Sequence, residues 1–398
     1  MMKRRHLISL SFLLFILQTG CGSEAGDESK NGPENEGIPS FSVDPTWPLE
    51  LPNNWILGSV TGVFVDQKEH IWVTHLPETL TAEETSAVQD PPIGTCCAPA
   101  PVVIEFDQAG QVIQAWGNPS QNVEEFPRNP HGIFVDHNDY VWVGSYRHHR
   151  VMKFTRSGDV VLVLGEYDQN AGSNDKHLLG GPAGICFDDD RTAVSSGIKQ
   201  RPLVSAGIWV DPATNEAYIA DGYRNRRVVV YDGESGEYLR HWGAYGETPD
   251  DEYDYGDRNP EDPPVRQFST VHGILGTNDG LIYVADRRGN RIQVFRQNGQ
   301  FIMEKIVAPQ TLASGSAFVF ALSPDEEQKW LYMADGTNHK VWILERETLE
   351  IIGEFGRGGR QVGQFLRPHG MSADSEGNLY VGEASTGRRV QKFRVGQD

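Results

Sequence analysis

The chain has 398 residues, enough for one large domain or two ordinary ones with a substantial core. Its 35 Lys and Arg residues against 55 Asp and Glu residues give a formal net charge of −20 at pH 7. This balance argues against nucleic acid as a partner, because cationic side chains that neutralise phosphates supply most of such affinity.

Residues 1–20 have the pattern of an export signal. A basic start, MMKRRH, precedes an apolar run, LISLSFLLFIL, that is too short to span a bilayer unaided. The following LQTG-Cys21 resembles the lipobox of bacterial lipoproteins, although Gln18 stands where Leu is usual. We therefore expect an exported protein anchored to a bacterial membrane through lipid on Cys21, with an ordinary secretory signal as the alternative.

Residues 21–44 are rich in Gly, Ser, Glu and Asn and are expected to form a flexible tether. Beyond Cys21 the chain has Cys96, Cys97 and Cys186. An oxidising compartment favours a pairing among these three. The adjacent pair could be bonded to each other, or one of them to Cys186, or all could be buried as small hydrophobic residues.

Residues 45–398 contain six copies of one pattern, of which residues 131–165 are a clear example. Each copy alternates Val, Ile, Tyr, Trp and Phe with polar residues, and turn signals separate the runs. Such a unit is a meander of about four antiparallel strands, and units of this kind arranged radially form a β-propeller. The sequence therefore predicts an all-β, six-bladed propeller.

The sixth copy ends near the C-terminus without a convincing fourth strand. We expect the N-terminal segment Pro45–Gly58 to supply it and so to close the ring, which removes exposed sheet edges. Three stretches depart from the repeat, and long loops of this kind are either functional or surface decoration. They are residues 77–101, 188–205 and the acidic 245–268.

Histidine recurs at the start of alternate copies. The aligned starts are Thr61-Gly62, His131-Gly132, Ala206-Gly207, His272-Gly273, Ala317-Phe318 and His369-Gly370. The innermost strands of a propeller line its channel, so histidines in alternate blades of six would converge from three sides. Three neutral imidazoles with an open position suit a catalytic zinc, although copper, iron or manganese would accept the same ligands.

The segments NPHGIFVDHNDYVWV, ADGYRNRRVVVY and RPHGMSADSEGNLYVGEA resemble the NHL family. From about Pro45 onwards the chain is similar to its peptidyl-α-hydroxyglycine α-amidating lyase branch. That resemblance implies a six-bladed propeller with zinc held by His131, His272 and His369, and it places the proposed base on Tyr223. The implied reaction cleaves the C–N bond of a carbinolamide in the channel and releases a peptide amide and glyoxylate.

Two positions depart from the family pattern. The family's catalytic arginine follows a histidine at a strand end in the first blade, where this chain has Leu76 after His75. Its structural calcium uses an aspartate after the last zinc histidine, where this chain has Gly370, so calcium is in doubt. Arg147 and Arg287, in equivalent blade turns, are candidates to replace the missing cation.

Two other functions fit a propeller. One is a non-catalytic surface binding module whose channel metal is structural. The other is a lactonase or hydrolase with calcium held by carboxylates, against which the alternating histidines argue.

Overall fold

The computed structural model describes residues 37–118, 126, 129–145, 148–180, 207–255 and 259–396. These residues form six four-stranded antiparallel sheets, the blades of a β-propeller, which confirms the fold predicted from the repeats. Blade 1 consists of Ser59–Val65, Ile71–Leu76, Val103–Phe106 and Val112–Trp116. Blade 2 consists of Pro130–Val135, Val141–Ser145, Arg150–Phe154 and Val160–Leu164. Blade 3 consists of Ile208–Val210, Glu216–Asp221, Arg227–Asp232 and Tyr238–Trp242.

The second half of the ring repeats this arrangement. Blade 4 consists of Val271–Gly276, Leu281–Asp286, Arg291–Arg296 and Phe301–Ile306. Blade 5 consists of Val319–Leu322, Trp330–Asp335, Lys340–Glu345 and Ile351–Phe355. Blade 6 consists of Pro368–Ala373, Leu379–Glu383, Arg389–Val395 and Phe41–Asp44. Outside the blades are a short parallel pair and four 3₁₀ turns within the described residues: Trp55–Ile56 with Ala98–Pro99, then Pro52–Asn54, Pro77–Thr79, Ser86–Val88 and Ala244–Gly246.

An N-terminal strand closes the ring, but it lies earlier in the chain than predicted. Phe41–Asp44 pairs antiparallel with Arg389–Val395 and becomes the outer strand of blade 6. The segment Pro45–Gly58, predicted to supply this strand, instead leads from the outer edge towards blade 1. The propeller therefore begins inside residues 21–44, the predicted tether, because the short FSVD run carries the alternation that the outer edge needs.

The core lies between the blades, where the inward-facing residues of neighbouring sheets pack against each other. The cluster between blades 3 and 4, for example, contains Trp209, Tyr218, Phe268 and Phe295. Buried aspartates fix the hairpins that precede the second strands. Asp66 accepts hydrogen bonds from two backbone N–H groups of its turn and from the Trp72 indole at 2.9 Å.

The inner strands of the six blades surround the central channel. We call the two ends of the channel the loop end and the hairpin end. The inner strands begin at the loop end, where the loops between the second and third strands also lie. The inner strands finish at the hairpin end, where the turns to the second strands lie. Glycines let these strands approach closely, because a Cβ atom on Gly62 would lie 2.9 Å from Ile133 N and one on Gly273 would lie 2.7 Å from Phe318 O.

Candidate metal centre

The three predicted histidines begin the inner strands of blades 2, 4 and 6, and each lies at an irregularity of the pairing. In blade 4 the pairing of the first two strands skips His272, and in blade 6 it skips His369. The register of blade 2 shifts between Pro130 and Ile133, the stretch that contains His131. A bulge frees a residue from the ladder and changes the direction of its side chain.

The bulges bring the three imidazoles together at the loop end of the channel, where they form the histidine triad. One ligand atom from each histidine lies within 4.8 Å of the others. The ring centroids of His131 and His272 are 5.1 Å apart, those of His131 and His369 are 4.6 Å apart, and those of His272 and His369 are 4.8 Å apart. All three side chains are at most 3% exposed.

Backbone carbonyls of the intervening blades orient two of these rings. His272 Nδ1 lies 2.8 Å from Phe318 O, and His369 Nδ1 lies 3.1 Å from Thr61 O. A carbonyl accepts a hydrogen bond only, so in both rings Nδ1 carries the proton and Nε2 carries the lone pair. Both Nε2 atoms are buried without a hydrogen-bond partner among the described residues.

Blade 5 differs from the sequence alignment. Val319 pairs with Ala334 as Gly273 pairs with Ala285, so Phe318 rather than Ala317 is equivalent to the ring histidines. The alignment slipped by one residue because blade 5 lacks the glycine that marks the position elsewhere. Sequence reasoning thus missed Phe318, whose ring centroid lies 5.3 Å from that of His272. In blade 3, Ala206 lies outside the described residues.

Burial keeps His272 and His369 neutral. It lowers the pKa of His272 and of His369 well below the usual value, and nearby positive groups, including Arg287, lower both further. Imidazole binds a metal in its neutral form, so an environment that opposes protonation favours the metal-binding state. The buried Nε2 atoms of His272 and His369, which have no hydrogen-bond partner among the described residues, are donors that zinc or another transition metal accepts.

Tyr223 and Arg287 adjoin the triad. Tyr223 Oη lies 2.9 Å from His131 Nε2, and Arg287 Nη1 donates to the same hydroxyl at 3.1 Å. The Arg287 guanidinium also lies over the rings of Tyr223 and Phe318, at 5.0 Å and 5.1 Å from their centroids. Arg287 is 1% exposed, and its Nε has no hydrogen-bond partner within the part of the chain that the structure describes.

Buried ion pairs hold the loops that present these two residues. Asp221 accepts a hydrogen bond from Arg227 Nε at 2.9 Å, which closes the blade 3 loop around Tyr223. Asp286 and Arg291 form the same 2.9 Å contact around the loop of Arg287. The Asp-Arg pair that flanks each of these two loops therefore has a structural role, while the residues inside each loop differ and carry the chemistry.

His75 and Leu76, at the family's arginine position, belong to the framework of blade 1. His75 Nδ1 accepts from the Gly58 N–H at 3.0 Å, and Nε2 lies 3.0 Å from the Pro101 carbonyl. Complete burial lowers the pKa of His75 to about 4, so this side chain is neutral at physiological pH. Leu76 is buried and has no polar side-chain atom to stabilise negative charge.

Gly370 leaves no room for the family's calcium ligand. A Cβ atom there would lie 2.8 Å from Val63 N and 3.0 Å from the Gly62 carbonyl carbon, both of them backbone atoms. An aspartate could not be accommodated without moving blade 1, so the residues present do not fit that calcium site.

The structure describes two of the four cysteines and does not describe Arg147. Cys96 and Cys97 are bonded to each other in the insertion of blade 1. Cys21, Cys186 and Arg147 lie outside the described residues.

A second group with metal-ligand chemistry, Asp66, His70 and Glu105, lies between blades 1 and 2. Arg156 already occupies it, with Nη1 at 2.7 Å from Asp66 Oδ2 and Nη2 bonded to Glu105. This cluster is therefore an ion-pair network.

No family model matches the chain. The sequence is 24% identical over 362 residues to the peptidyl-glycine α-amidating monooxygenase of Mus musculus, which covers 87% of this chain and 31% of that protein. It is 24% identical over 405 residues to the peptidyl-α-hydroxyglycine α-amidating lyase 1 of Drosophila melanogaster, which covers 94% of this chain and 65% of that protein. NHL repeat-containing protein 3 of Homo sapiens is 24% identical over 308 residues, 74% of this chain and 72% of that protein.

The chain thus spans about a third of the length of the mouse relative. Among solved structures, a streptogramin B lyase superposes with a TM-score of 0.51 at 11% identity, over 89% of this chain and 98% of that one, a likeness of fold alone. The chain is a six-bladed β-propeller whose homologues include proteins named peptidyl-α-hydroxyglycine α-amidating lyase and NHL repeat-containing protein.

Proposed function

We propose that the protein is a metal-dependent lyase that cleaves the C–N bond of a carbinolamide, such as a peptidyl-α-hydroxyglycine. The products would be an amide and glyoxylate. The observation that supports this proposal is the combination of three buried, converging imidazoles with a tyrosine hydroxyl 2.9 Å from one of them. The named activity of the Drosophila relative supports the same reaction class.

His131, His272 and His369 would hold the metal, with zinc as the first candidate. The unpaired Nε2 atoms of His272 and His369 support this, because a buried imidazole nitrogen without a partner is costly unless a ligand binds it. A bound zinc supplies Lewis acidity, which lowers the pKa of the oxygen group that it contacts.

Tyr223 is the base of the proposed reaction. Its Oη accepts the proton of the substrate hydroxyl, the C–O bond becomes the carbonyl of glyoxylate, and the C–N electron pair leaves with the amide nitrogen. That nitrogen then takes up a proton and completes the amide. The Arg287 guanidinium at 3.1 Å favours the deprotonated form of the phenol, because a nearby positive charge stabilises a phenolate.

Arg287 also provides the positive charge that Leu76 cannot. Its guanidinium is buried, and no ion-pair partner is found for it among the described residues. An unbalanced buried charge favours an anionic ligand, since an opposite charge offsets its desolvation. We therefore assign Arg287 to the carboxylate of the hydroxyglycine group.

The direct test uses purified protein loaded with zinc and a peptidyl-α-hydroxyglycine. We expect stoichiometric release of amide and glyoxylate, and a loss of at least about a hundredfold in Arg287→Met, because this change keeps the length of the side chain but removes its charge. Full metal occupancy with no glyoxylate release would instead favour a binding propeller with a structural metal.

We further propose that the protein is exported and anchored to a membrane through lipid on Cys21. No helix of the described residues is long and apolar enough to span a bilayer, and Cys21 lies outside them. Cells fed a labelled fatty acid should yield labelled membrane-bound protein, whereas Cys21→Ser should yield unlabelled protein. If the wild-type protein carried no label, the lipid anchor would be disproved and the N-terminus would be an ordinary secretory signal.

A further inference from the structure

The hairpin-end half of the channel contains a cavity of about 390 Å³ beneath the histidine triad. The inner strands of all six blades line it, and its wall includes the glycine positions from Gly62 to Gly370. His369 lies at its inner end, and the turn around Asp66 and the turn around Asp374 lie at its mouth. Tyr223, from a loop-end turn, is absent from the lining.

The walls of this cavity are mainly apolar and partly aromatic. Phe64 and Phe134 lie side by side with ring centroids 4.5 Å apart, and Trp209, Leu275 and Phe320 continue the surface around the axis. Pockets of about 300–1,000 Å³ with apolar walls and a few polar groups are typical of small-molecule sites. The cavity is therefore large enough for an aromatic ring or a branched aliphatic group.

Among the described residues the lining of the cavity includes the carboxylates of Asp66, Glu69 and Asp374 but no lysine or arginine. Behind the lining, Arg156 lies 2.7 Å from Asp66 Oδ2 and Lys392 lies 3.8 Å from Asp374 Oδ2, so Glu69 is the carboxylate that no described cation balances. An anion that entered would pass the Glu69 carboxylate and would then lose its hydration without a cation in the lining to replace it. A neutral group avoids this cost, and a cationic group gains from Glu69 at the mouth.

We propose that this half of the channel binds the apolar group of a neutral or cationic small molecule. The ligand enters between the hairpin turns and reaches His369 from the side opposite Tyr223. The pocket stands independently of the proposed lyase reaction, because neither the base nor Arg287 contributes to it.

Calorimetric titration with benzyl alcohol, benzylamine and benzoate tests the proposal on the full protein. We expect the alcohol and the amine to bind and benzoate to bind at least about tenfold more weakly, a difference of about 1.4 kcal/mol. Leu275→Trp, which fills the pocket, should weaken benzyl alcohol by a similar factor. The matched control is Leu239→Trp on the outer strand of blade 3, where the leucine is 39% exposed, and it should leave the affinity unchanged.

Two further measurements keep the test decisive if Leu275→Trp does not fold. Crystals of the wild-type protein soaked with iodobenzene should show the iodine between Phe64, Phe134 and Trp209. His131→Ala, which disables the triad but not the pocket, should still bind benzyl alcohol. Benzoate binding as tightly as benzyl alcohol, or iodine located only outside the channel, would overturn the proposal.

Discussion

Tyr223 Oη and His131 Nε2 lie 2.9 Å apart, although 92 positions separate the two residues in the chain. Arg287 donates to the same hydroxyl from the next blade. The phenol therefore links a candidate metal ligand to a buried positive charge. The hydroxyl and the candidate metal ligand belong to different residues. A substitution can therefore remove the hydroxyl and leave the metal ligands in place, or the reverse.

Tyr223→Phe removes only the hydroxyl. We expect kcat for glyoxylate release to fall by about 10²–10⁴, the usual contribution of a positioned acid or base. Metal content should stay the same, because the three imidazoles remain. The pH profile of kcat should also lose its acidic limb, because the rise of kcat with pH reports deprotonation of the base.

Tyr238→Phe is the matched control for this change. Its hydroxyl bonds to His241 on the outer strand of blade 3, away from the triad. Activity should be close to wild type. A Tyr223→Phe enzyme with unchanged kcat would remove the tyrosine from the mechanism.

Substitution of any triad histidine should weaken metal binding. We expect His131→Ala, His272→Ala and His369→Ala each to lower metal affinity by at least about tenfold, because each removes one of three ligands. Elemental analysis of the purified proteins measures this. His241→Ala should retain full occupancy, and full occupancy in all three triad variants would disprove the site.

Gly370→Ala should destabilise the propeller. The added Cβ would lie 2.8 Å from Val63 N, a backbone atom that cannot turn aside, so we expect a loss of about 1–3 kcal/mol in the free energy of unfolding. Gly353→Ala is the control, since its Cβ would meet only side chains at 3.7 Å or more. Denaturant unfolding of both variants compares them, and equal stability would contradict the close approach of blades 6 and 1.

His75 should make stability depend on pH. Burial lowers its pKa from 6.5 to about 4, so between these values the unfolded chain binds more protons than the folded one. The free energy of unfolding should therefore decrease as pH falls through this window, by on the order of 3 kcal/mol from this group.

His75→Gln keeps one donor and one acceptor but does not titrate. The difference between wild type and variant, measured by denaturant unfolding at pH 7 and pH 4.5, isolates the effect of His75. Parallel pH dependences of the two proteins would show that the imidazole does not control stability.

Much of the fold was predictable from the sequence because strand alternation and turn residues are local signals. The six repeats predicted the blades, and equivalent repeat positions predicted that His131, His272 and His369 converge. The closing strand was misplaced because Phe41–Asp44 is short and its partner lies at the far end of the chain. Phe318 was misaligned by one residue because only the pairing of Val319 fixes the register of blade 5.

The sequence alone determined which residue types recur at which repeat positions, and hence the blades and the ring of histidines. Only the tertiary structure decided what surrounds that ring. The hydrogen bond from Arg287 to Tyr223, the carbonyls that orient His272 and His369, and the close approach at Gly370 all join different blades. Contacts of this kind depend on how neighbouring sheets pack, and no local pattern of residues encodes them.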